Sequence, residues 1–132
     1  MRASPHDIVN WMVNSETLDR TFAACSHPIR RGILERLAGG TLSVGQATGD
    51  FGVSKPAISR HLRILEEAGA IVRVVDGRTH LLSLPDDDPG LDDAYAWMTR
   101  QRAVWERKLD VIEDVLAERR AEQRAAARKE QP

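Results

Sequence analysis

Cysteine and long apolar runs are scarce in this chain. The single cysteine, Cys25, cannot form an internal disulfide or complete a thiolate metal cluster, so the composition favours a reducing compartment. No apolar run approaches the roughly 20 residues of a membrane-spanning helix. The apolar residues among the first 14 positions are interrupted by Asn10, which leaves too short a stretch for a signal-peptide core. We therefore expect a cytoplasmic protein.

Catalytic signatures are missing as well. The pair Gly39-Gly40 is not followed by the Gly-Lys-Ser/Thr of a phosphate-binding loop, and the chain has no His-Glu-x-x-His motif. No serine or cysteine has a base at a spacing that suggests an activated nucleophile. These absences predict a protein that is not an enzyme.

The charge is balanced overall but unevenly distributed. The 132 residues carry 19 Lys and Arg against 20 Asp and Glu, with 42% apolar residues, a mixture typical of one globular domain. Between positions 28 and 63, however, there are six basic residues and only two acidic ones. A later cluster of aspartates is interpreted as a solvated linker or helix start rather than a metal site: Asp86, Asp87, Asp88, Asp92 and Asp93. The middle of the chain is therefore basic within a nearly neutral protein.

The first third of the chain predicts two helices. Ser15 is the predicted N-cap of the first helix, and Pro28 starts the second. The second helix is expected over residues 29–37 and to end at Gly39-Gly40. Its apolar side chains form one buried stripe, and its charged side chains are expected to face outward: Arg30, Arg31, Glu35 and Arg36.

A short helix, a tight turn and a second helix follow. Ser43 is the predicted cap of the short helix, Gly52-Val53 forms the turn, and Ser54 caps a helix that Gly69 ends. This is the helix-turn-helix pattern, in which the second helix enters a major groove of DNA. Its core face carries Ile58, Leu62 and Leu65. The opposite face carries the residues that could contact bases or phosphates: Lys55, Pro56, Ser59, Arg60 and Arg63. The alternative is an ordinary solvated helix.

Two β-rich runs come next, over residues 71–75 and 78–84. They are joined by Asp76-Gly77, one of the strongest signals for a hairpin turn. A hairpin after a helix-turn-helix is a wing, and we expect Arg73, Arg78 and His80 on or near its tip. A basic tip suits the narrow minor groove or the flanking phosphates, although charge also protects an edge hairpin from aggregation.

The last long segment predicts a helix over residues 91–120 with a wide apolar band. The band spans about 200°, twice what packing against one domain requires. We therefore expect it to contact both its own domain and the same helix of a second subunit, with Arg102 on the seam. The predicted dimer interface comprises Met98, Trp105, Leu109, Ile112 and Leu116. The alternative is a helix that packs only within its own chain.

Several of these segments resemble the ArsR-type winged-helix repressors. The run Ser26-His27-Pro28-Ile29-Arg30-Arg31-Gly32-Ile33-Leu34 is similar to an opening motif of that family, and residues 53–69 are similar to its recognition-helix signature. Residues 105–110 resemble a stretch of its long terminal helix. The resemblance implies a homodimeric DNA-binding repressor that represses its own gene. It matches the DNA-reading positions to Ser54, Lys55, Pro56, Ser59, Arg60 and Arg63. His61 also matches a family residue, but we interpret it as packed because it lies at the margin of the apolar face.

The chain departs from the metal-sensing members of that family. The segment Ser43-Val44-Gly45-Gln46-Ala47 has no sulfur where those members carry a thiolate motif, and no histidine follows His80 for the second common site. Cys25 and His27 would need at least one more protein ligand to hold zinc, and a packed cysteine is the favoured interpretation. We therefore expect the non-metal-sensing branch, with no metal and no cofactor.

These observations predict a mainly α protein with a β-hairpin wing, a winged helix-turn-helix with long N- and C-terminal dimerisation helices. We divide it into an N-terminal extension (1–14), a DNA-binding domain (15–90), a dimerisation helix (91–120) and a flexible tail (121–132). The expected function is that of a sequence-specific transcriptional regulator, a homodimeric repressor of a near-palindromic operator. The alternative is a winged-helix protein-interaction module that uses the long helix as its surface. Salt-dependent retention on DNA distinguishes the two, because phosphate contacts release counterions.

Overall fold

The structure is a computed structural model that describes residues 5–130, with side chains described from Ser15 onwards. In this part of the chain, five helices and three short strands follow one another. In order they are α1 Pro5–Cys25, α2 Pro28–Leu37, β1 Leu42–Ser43, α3 Val44–Thr48, α4 Lys55–Glu67, β2 Val72–Asp76, β3 Thr79–Ser83 and α5 Pro89–Glu130. The chain divides into two compact units, with the boundary between Tyr95 and Ala96. The predicted fold, mainly helical with a wing and a long C-terminal helix, is confirmed.

The first helix is longer than the sequence predicted. Helix α1 begins at Pro5, so Ser15 lies inside it and the prediction of an N-cap at Ser15 is wrong. The break after Cys25 is where the sequence placed it. There His27, in extended conformation, caps α2 by accepting a hydrogen bond from the Ile29 backbone N–H at its Nδ1, over 3.1 Å. Pro28 occupies the first position of α2, where a missing N–H costs nothing.

Arg30 is buried, which corrects the prediction that it faces outward. Its relative exposure is 8%. The guanidinium donates to the backbone carbonyls of Ala23 and Ala24, with Nε to oxygen distances of 3.2 and 3.1 Å. Those carbonyls belong to the last turn of α1, beyond which the helical hydrogen bonds stop, and the Ala23 carbonyl also accepts from the Ser26 backbone N–H at 3.2 Å. The side chain therefore satisfies a helix end, and a helical wheel of α2 alone carries no information about that end.

Arg36 is the second outward-facing prediction that is wrong. Its Nη1 donates to the carbonyls of Ala47 and Gly49, at 3.2 and 2.6 Å. The guanidinium also lies 4.1 Å from the ring centre of Phe51, within the range of a cation–π contact. Arg36 thus joins α2 to the end of α3.

The caps predicted for the helix-turn-helix are confirmed. Ser43 and Gln46 form a reciprocal capping box at the start of α3, with N to O distances of 3.0 and 3.2 Å. Ser54 accepts from the Ala57 backbone N–H at 3.3 Å and caps α4. Between the two helices the backbone reverses through positive φ at Asp50 (71°) and Gly52 (70°). The turn fixes the start of α4 against α3.

The wing is part of a three-stranded antiparallel sheet with strand order β1-β3-β2. Strands β2 and β3 pair as the predicted hairpin, from Val72 opposite Ser83 to Asp76 opposite Thr79, and Gly77 turns with φ 63°. The sequence did not predict β1, which adds Leu42 opposite Leu82. A strand of two residues is too short to show the alternation by which strands are recognised.

The core of the first unit lies between α1, α2, α3, α4 and the sheet. Its fully buried apolar side chains come from every one of these elements: Ala24, Ile33, Leu37, Ala47, Leu62, Leu65, Ile71 and Leu82. The predicted core face of α4 is largely confirmed, since Leu62 and Leu65 are buried and Ile58 packs against them half-buried. The reading face of α4 is therefore directed away from this core.

Helix α5 extends beyond both predicted ends, starting at Pro89 and ending at Glu130. Asp88 accepts a hydrogen bond from the Leu91 backbone N–H at 3.0 Å, so one member of the aspartate cluster bonds the first turn. After residue 120 the sequence consists mostly of Ala, Glu, Gln and Arg, which are strong helix formers. The helix accordingly continues where we predicted its end. The flexibility proposed for residues 121–132 stays a prediction.

Candidate DNA interface

The residues predicted to read DNA share one exposed face of α4. All six side chains are exposed: Ser54, Lys55, Pro56, Ser59, Arg60 and Arg63. The opposite face holds Leu62 and Leu65, which are 2% and 0% exposed. None of the four basic or hydroxyl groups on the helix proper is used to hold the fold. A groove between α3 and α4 is lined in part by Lys55, Ser59 and Arg63, so polar donors border the turn of the helix-turn-helix.

The α4 helix is held in place by a polar contact with α2. Arg30 Nη1 lies 2.8 Å from His61 Nδ1. Because a guanidinium only donates, this nitrogen of His61 must be the acceptor and carries no proton. The ring of His61 also lies 4.4 Å from that of His27, centre to centre. The packed interpretation of His61 agrees with these contacts.

His61 is electrostatically suited to remain neutral. Burial lowers its pKa below the ordinary value of 6.5, and the nearby His27, Arg30 and Arg60 lower the pKa further because each opposes another positive charge. A protonated His61 would lose its acceptor nitrogen and would face Arg30 as a like charge. The contact that fixes the recognition helix therefore depends on a neutral imidazole.

The structure places the wing residues differently from one another. Arg78 follows Gly77 in the exposed turn between β2 and β3, at the predicted tip. Arg73 is the second residue of β2, opposite Leu82 and at the end of the strand away from the turn, so the prediction that it lies on or near the tip is wrong. Its side chain is half-buried and forms an ion pair with Glu66 of α4. His80 lies on β3 opposite Val75 and is exposed.

The predicted dimer residues form an exposed apolar stripe on α5. Each is more than two fifths exposed in the single chain: Met98, Trp105, Leu109, Ile112 and Leu116. The contact of this band with its own domain, which the sequence also predicted, stays a prediction. Every residue from Trp97 to Glu130 is exposed, and the buried residues of α5 are Gly90 and Ala94. Arg102 bonds Glu106 within the same helix, at 3.0 Å.

Cys25 and the other candidate ligands do not gather into a metal site in the described residues, where no group of three or more His, Cys, Asp or Glu side chains could hold an ion. Cys25 is half-buried with a free thiol. None of the helices within residues 5–130 has the length and apolar character to cross a membrane.

Sequence reasoning missed three polar residues that organise the site: His27, Arg30 and Glu66. His27 precedes a proline at a helix start, so its capping role had a local signal. Arg30 and Glu66 act on partners that lie on other elements, and no pattern within their own helices identifies those partners.

Comparison with known proteins agrees with this geometry. A helix-turn-helix domain family matches residues 26–75. The transcriptional repressor SdpR of Bacillus subtilis is 38% identical over 81 residues, which is 61% of this chain and 88% of SdpR. The HTH-type transcriptional regulator Rv2034 of Mycobacterium tuberculosis is 48% identical over 50 residues, 38% of this chain and 47% of that protein.

Solved structures show the same fold. A crystal structure of an ArsR family transcriptional regulator superposes with a TM-score of 0.63 at 28% identity, covering 70% of this chain and 93% of the other. An ArsR-like transcriptional regulator from Rhodococcus sp. RHA1 gives 0.59 at 28% identity, with 76% and 93% covered. Residues 26–75, which match the helix-turn-helix domain family, contain the capped helix-turn-helix and most of β2. The chain belongs to the ArsR family of helix-turn-helix transcriptional regulators.

Proposed function

We propose that the protein is a homodimeric repressor that acts in the cytoplasm, binds a near-palindromic operator and represses its own gene. The observation that carries this proposal is the exposed face of α4, on which Lys55, Ser59, Arg60 and Arg63 are free of any role in the core. Arginine and lysine donate to guanine edges and to phosphates, and serine can bond several bases. Repression is supported by the similarity to SdpR, which is named a transcriptional repressor.

The contact proposed for each residue follows from its position in the fold. Ser54, Lys55 and Pro56 at the start of α4, with Ser59, Arg60 and Arg63 along it, are proposed to enter the major groove. Arg78 in the wing turn is proposed to contact the minor groove or a flanking phosphate. The DNA-binding role is assigned to residues 15–90 and dimerisation to the helix that follows.

Dimerisation is proposed through the apolar stripe of α5. Large side chains such as Trp105 and Leu109 are 64% and 53% exposed, and a contiguous apolar surface of this kind marks an interaction site. The occupant is a second copy of the same helix, since a two-fold pair makes the stripe self-complementary. The seven-residue spacing of Met98, Trp105 and Ile112 suits helix pairing.

The first prediction tests the reading face. Arg63→Ala and Lys55→Ala should each weaken binding, by about 1–3 kcal/mol where the side chain reads a base. Affinity is measured by gel-shift titration on a duplex that the wild-type protein has selected from a random-sequence pool. Arg20→Ala, the same type of change at an exposed position of α1, is the matched control and should leave binding unchanged. Unchanged affinity in both α4 variants would contradict the proposal.

A further inference from the structure

The wing and the recognition helix are joined by an ion pair. Arg73 of β2 directs two nitrogens at one carboxylate oxygen of Glu66, with Nε and Nη2 at 3.1 and 2.5 Å from Oε1. The third nitrogen, Nη1, lies 3.4 Å from Nδ1 of His80 on β3. One guanidinium thus contacts the recognition helix and bridges both strands of the wing.

Glu66 lies where an unpaired carboxylate would oppose DNA binding. It follows Ser59 by seven residues and Arg63 by three, so at about 100° per residue the three side chains share one face of α4. A lone negative charge there would repel the phosphates of a bound duplex. Arg73 neutralises that charge and, in doing so, uses the side of its guanidinium that a phosphate would need.

We propose that Arg73 is a positioning residue, which fixes the angle of the wing to the recognition helix through Glu66 and does not itself bind phosphate. This inference rests on the proposed DNA-binding function. The side chains of Arg73 and Glu66 are 28% and 36% exposed, so the pair is partly shielded from water. The wing cation left to contact DNA is Arg78, in the exposed turn. A wing held in advance spares the complex the cost of ordering it on binding.

The direction in which one substitution changes the affinity for DNA distinguishes this role from a phosphate contact. Glu66→Gln removes a negative charge beside DNA, which on electrostatic grounds alone should tighten binding. If Glu66 holds the wing through Arg73, binding should instead weaken, by about two- to fivefold for a partly exposed pair. The matched control is Glu67→Gln, on the next residue, which is exposed and makes no ion pair in the described part of the chain. This control should bind as tightly as the wild type or more tightly.

The second test compares the DNA affinities of single and double variants and their dependence on salt. All are measured on the duplex selected by the wild-type protein. Arg73→Gln should weaken binding at least as much as Glu66→Gln, because it also leaves the Glu66 carboxylate unpaired beside the DNA, and the double variant should be no weaker than Arg73→Gln alone. The slope of log affinity against log salt should stay the same in Arg73→Gln. In Arg78→Gln the magnitude of the slope should fall by about 1.8, because the dimer loses one phosphate contact, about 0.9 each, in both half-sites.

A third arm needs no DNA. Amide hydrogen exchange in β2 and β3 of the free protein should become faster in Glu66→Gln and stay unchanged in Glu67→Gln. Tighter binding by Glu66→Gln, additive losses, a reduced slope in Arg73→Gln or unchanged exchange would each overturn the positioning role. If the wild-type protein selects no duplex at all, the proposed function fails, and the exchange experiment still decides whether the ion pair holds the wing.

Discussion

At the scale of single residues, the contact between Gly90 and Thr21 shows how closely the first unit is packed. Gly90 is buried at the start of α5, and a Cβ there would overlap Oγ1 of Thr21 and lie 3.7 Å from Cγ2 of Thr17. Thr21 is 6% exposed, and its hydroxyl has no hydrogen-bond partner among the described residues. A buried threonine has little freedom to move aside. The approach of α1 to the start of α5 therefore requires glycine.

Gly90→Ala should destabilise the protein by about 1–3 kcal/mol, the usual cost of overpacking. Urea unfolding at fixed protein concentration measures the change. Gly45→Ala is the control, because Gly45 is exposed in α3 and its Cβ would meet nothing within 4 Å; it should be neutral or stabilising. In a Thr21→Ala background the cost of Gly90→Ala should shrink. An equal cost in both backgrounds would show that the overlap with Thr21 is not its cause.

At the scale of elements, the contact between Arg30 and His61 joins α2 to α4. It makes the stability of the folded protein depend on pH. Burial, followed by His27, Arg30 and Arg60, lowers the pKa of His61 below 6.5 in the folded protein. The unfolded chain then takes up a proton at a pH where the folded chain does not. The contribution of His61 to the free energy of unfolding is therefore fully present above the pKa of the unfolded chain. It declines as the pH falls from about 6.5 towards the lower pKa of the folded protein.

Unfolding midpoints in urea should show this decline between about pH 7.5 and pH 5. That range brackets the ordinary pKa of histidine, roughly 6.5. His61→Asn keeps an acceptor for Arg30 without a titratable ring, so the dependence on pH should become shallower. His80→Asn, at an exposed position of β3, should leave it as in the wild type. A His61→Asn profile that runs parallel to that of the wild type would contradict the assignment to His61.

The elements differ in how far sequence could predict them, and the difference is physical. The caps at Ser43 and Ser54 depend on residues within one turn, so local spacing identified them. The wing hairpin likewise follows from its Asp76-Gly77 turn. Arg30 and Arg73 act across elements, and their partners become neighbours only in the folded chain. Sequence therefore predicted that this face of α4 is exposed, but it did not predict the polar contacts that hold α4 and the wing in place.

At the scale of the whole molecule, the apolar stripe on α5 is the surface through which dimerisation is proposed. Eleven large apolar side chains between Leu91 and Leu116 are exposed, among them Trp105, Leu109 and Ile112. Exposure of this much apolar surface is costly in water and is usual at an interface. A two-fold dimer on DNA must also present two recognition helices about 34–36 Å apart to reach successive major grooves. Dimerisation should therefore be a condition of tight operator binding.

Leu109→Glu tests this condition, because an unpaired carboxylate buried in an apolar seam costs several kcal/mol, roughly 3–5 by comparison with broken buried ion pairs. Light scattering should report monomers while circular dichroism still shows the folded helix-turn-helix. Ala103→Glu introduces the same charge on α5 about 120° away from Leu109 at 100° per residue, and it should remain dimeric.

A monomer keeps the contacts of one half-site and loses the gain from tethering two of them, so its affinity should fall steeply and its footprint should shrink to one half-site. If Leu109→Glu stays dimeric, or protects the full operator as a monomer at unchanged concentration, α5 is not the dimer interface.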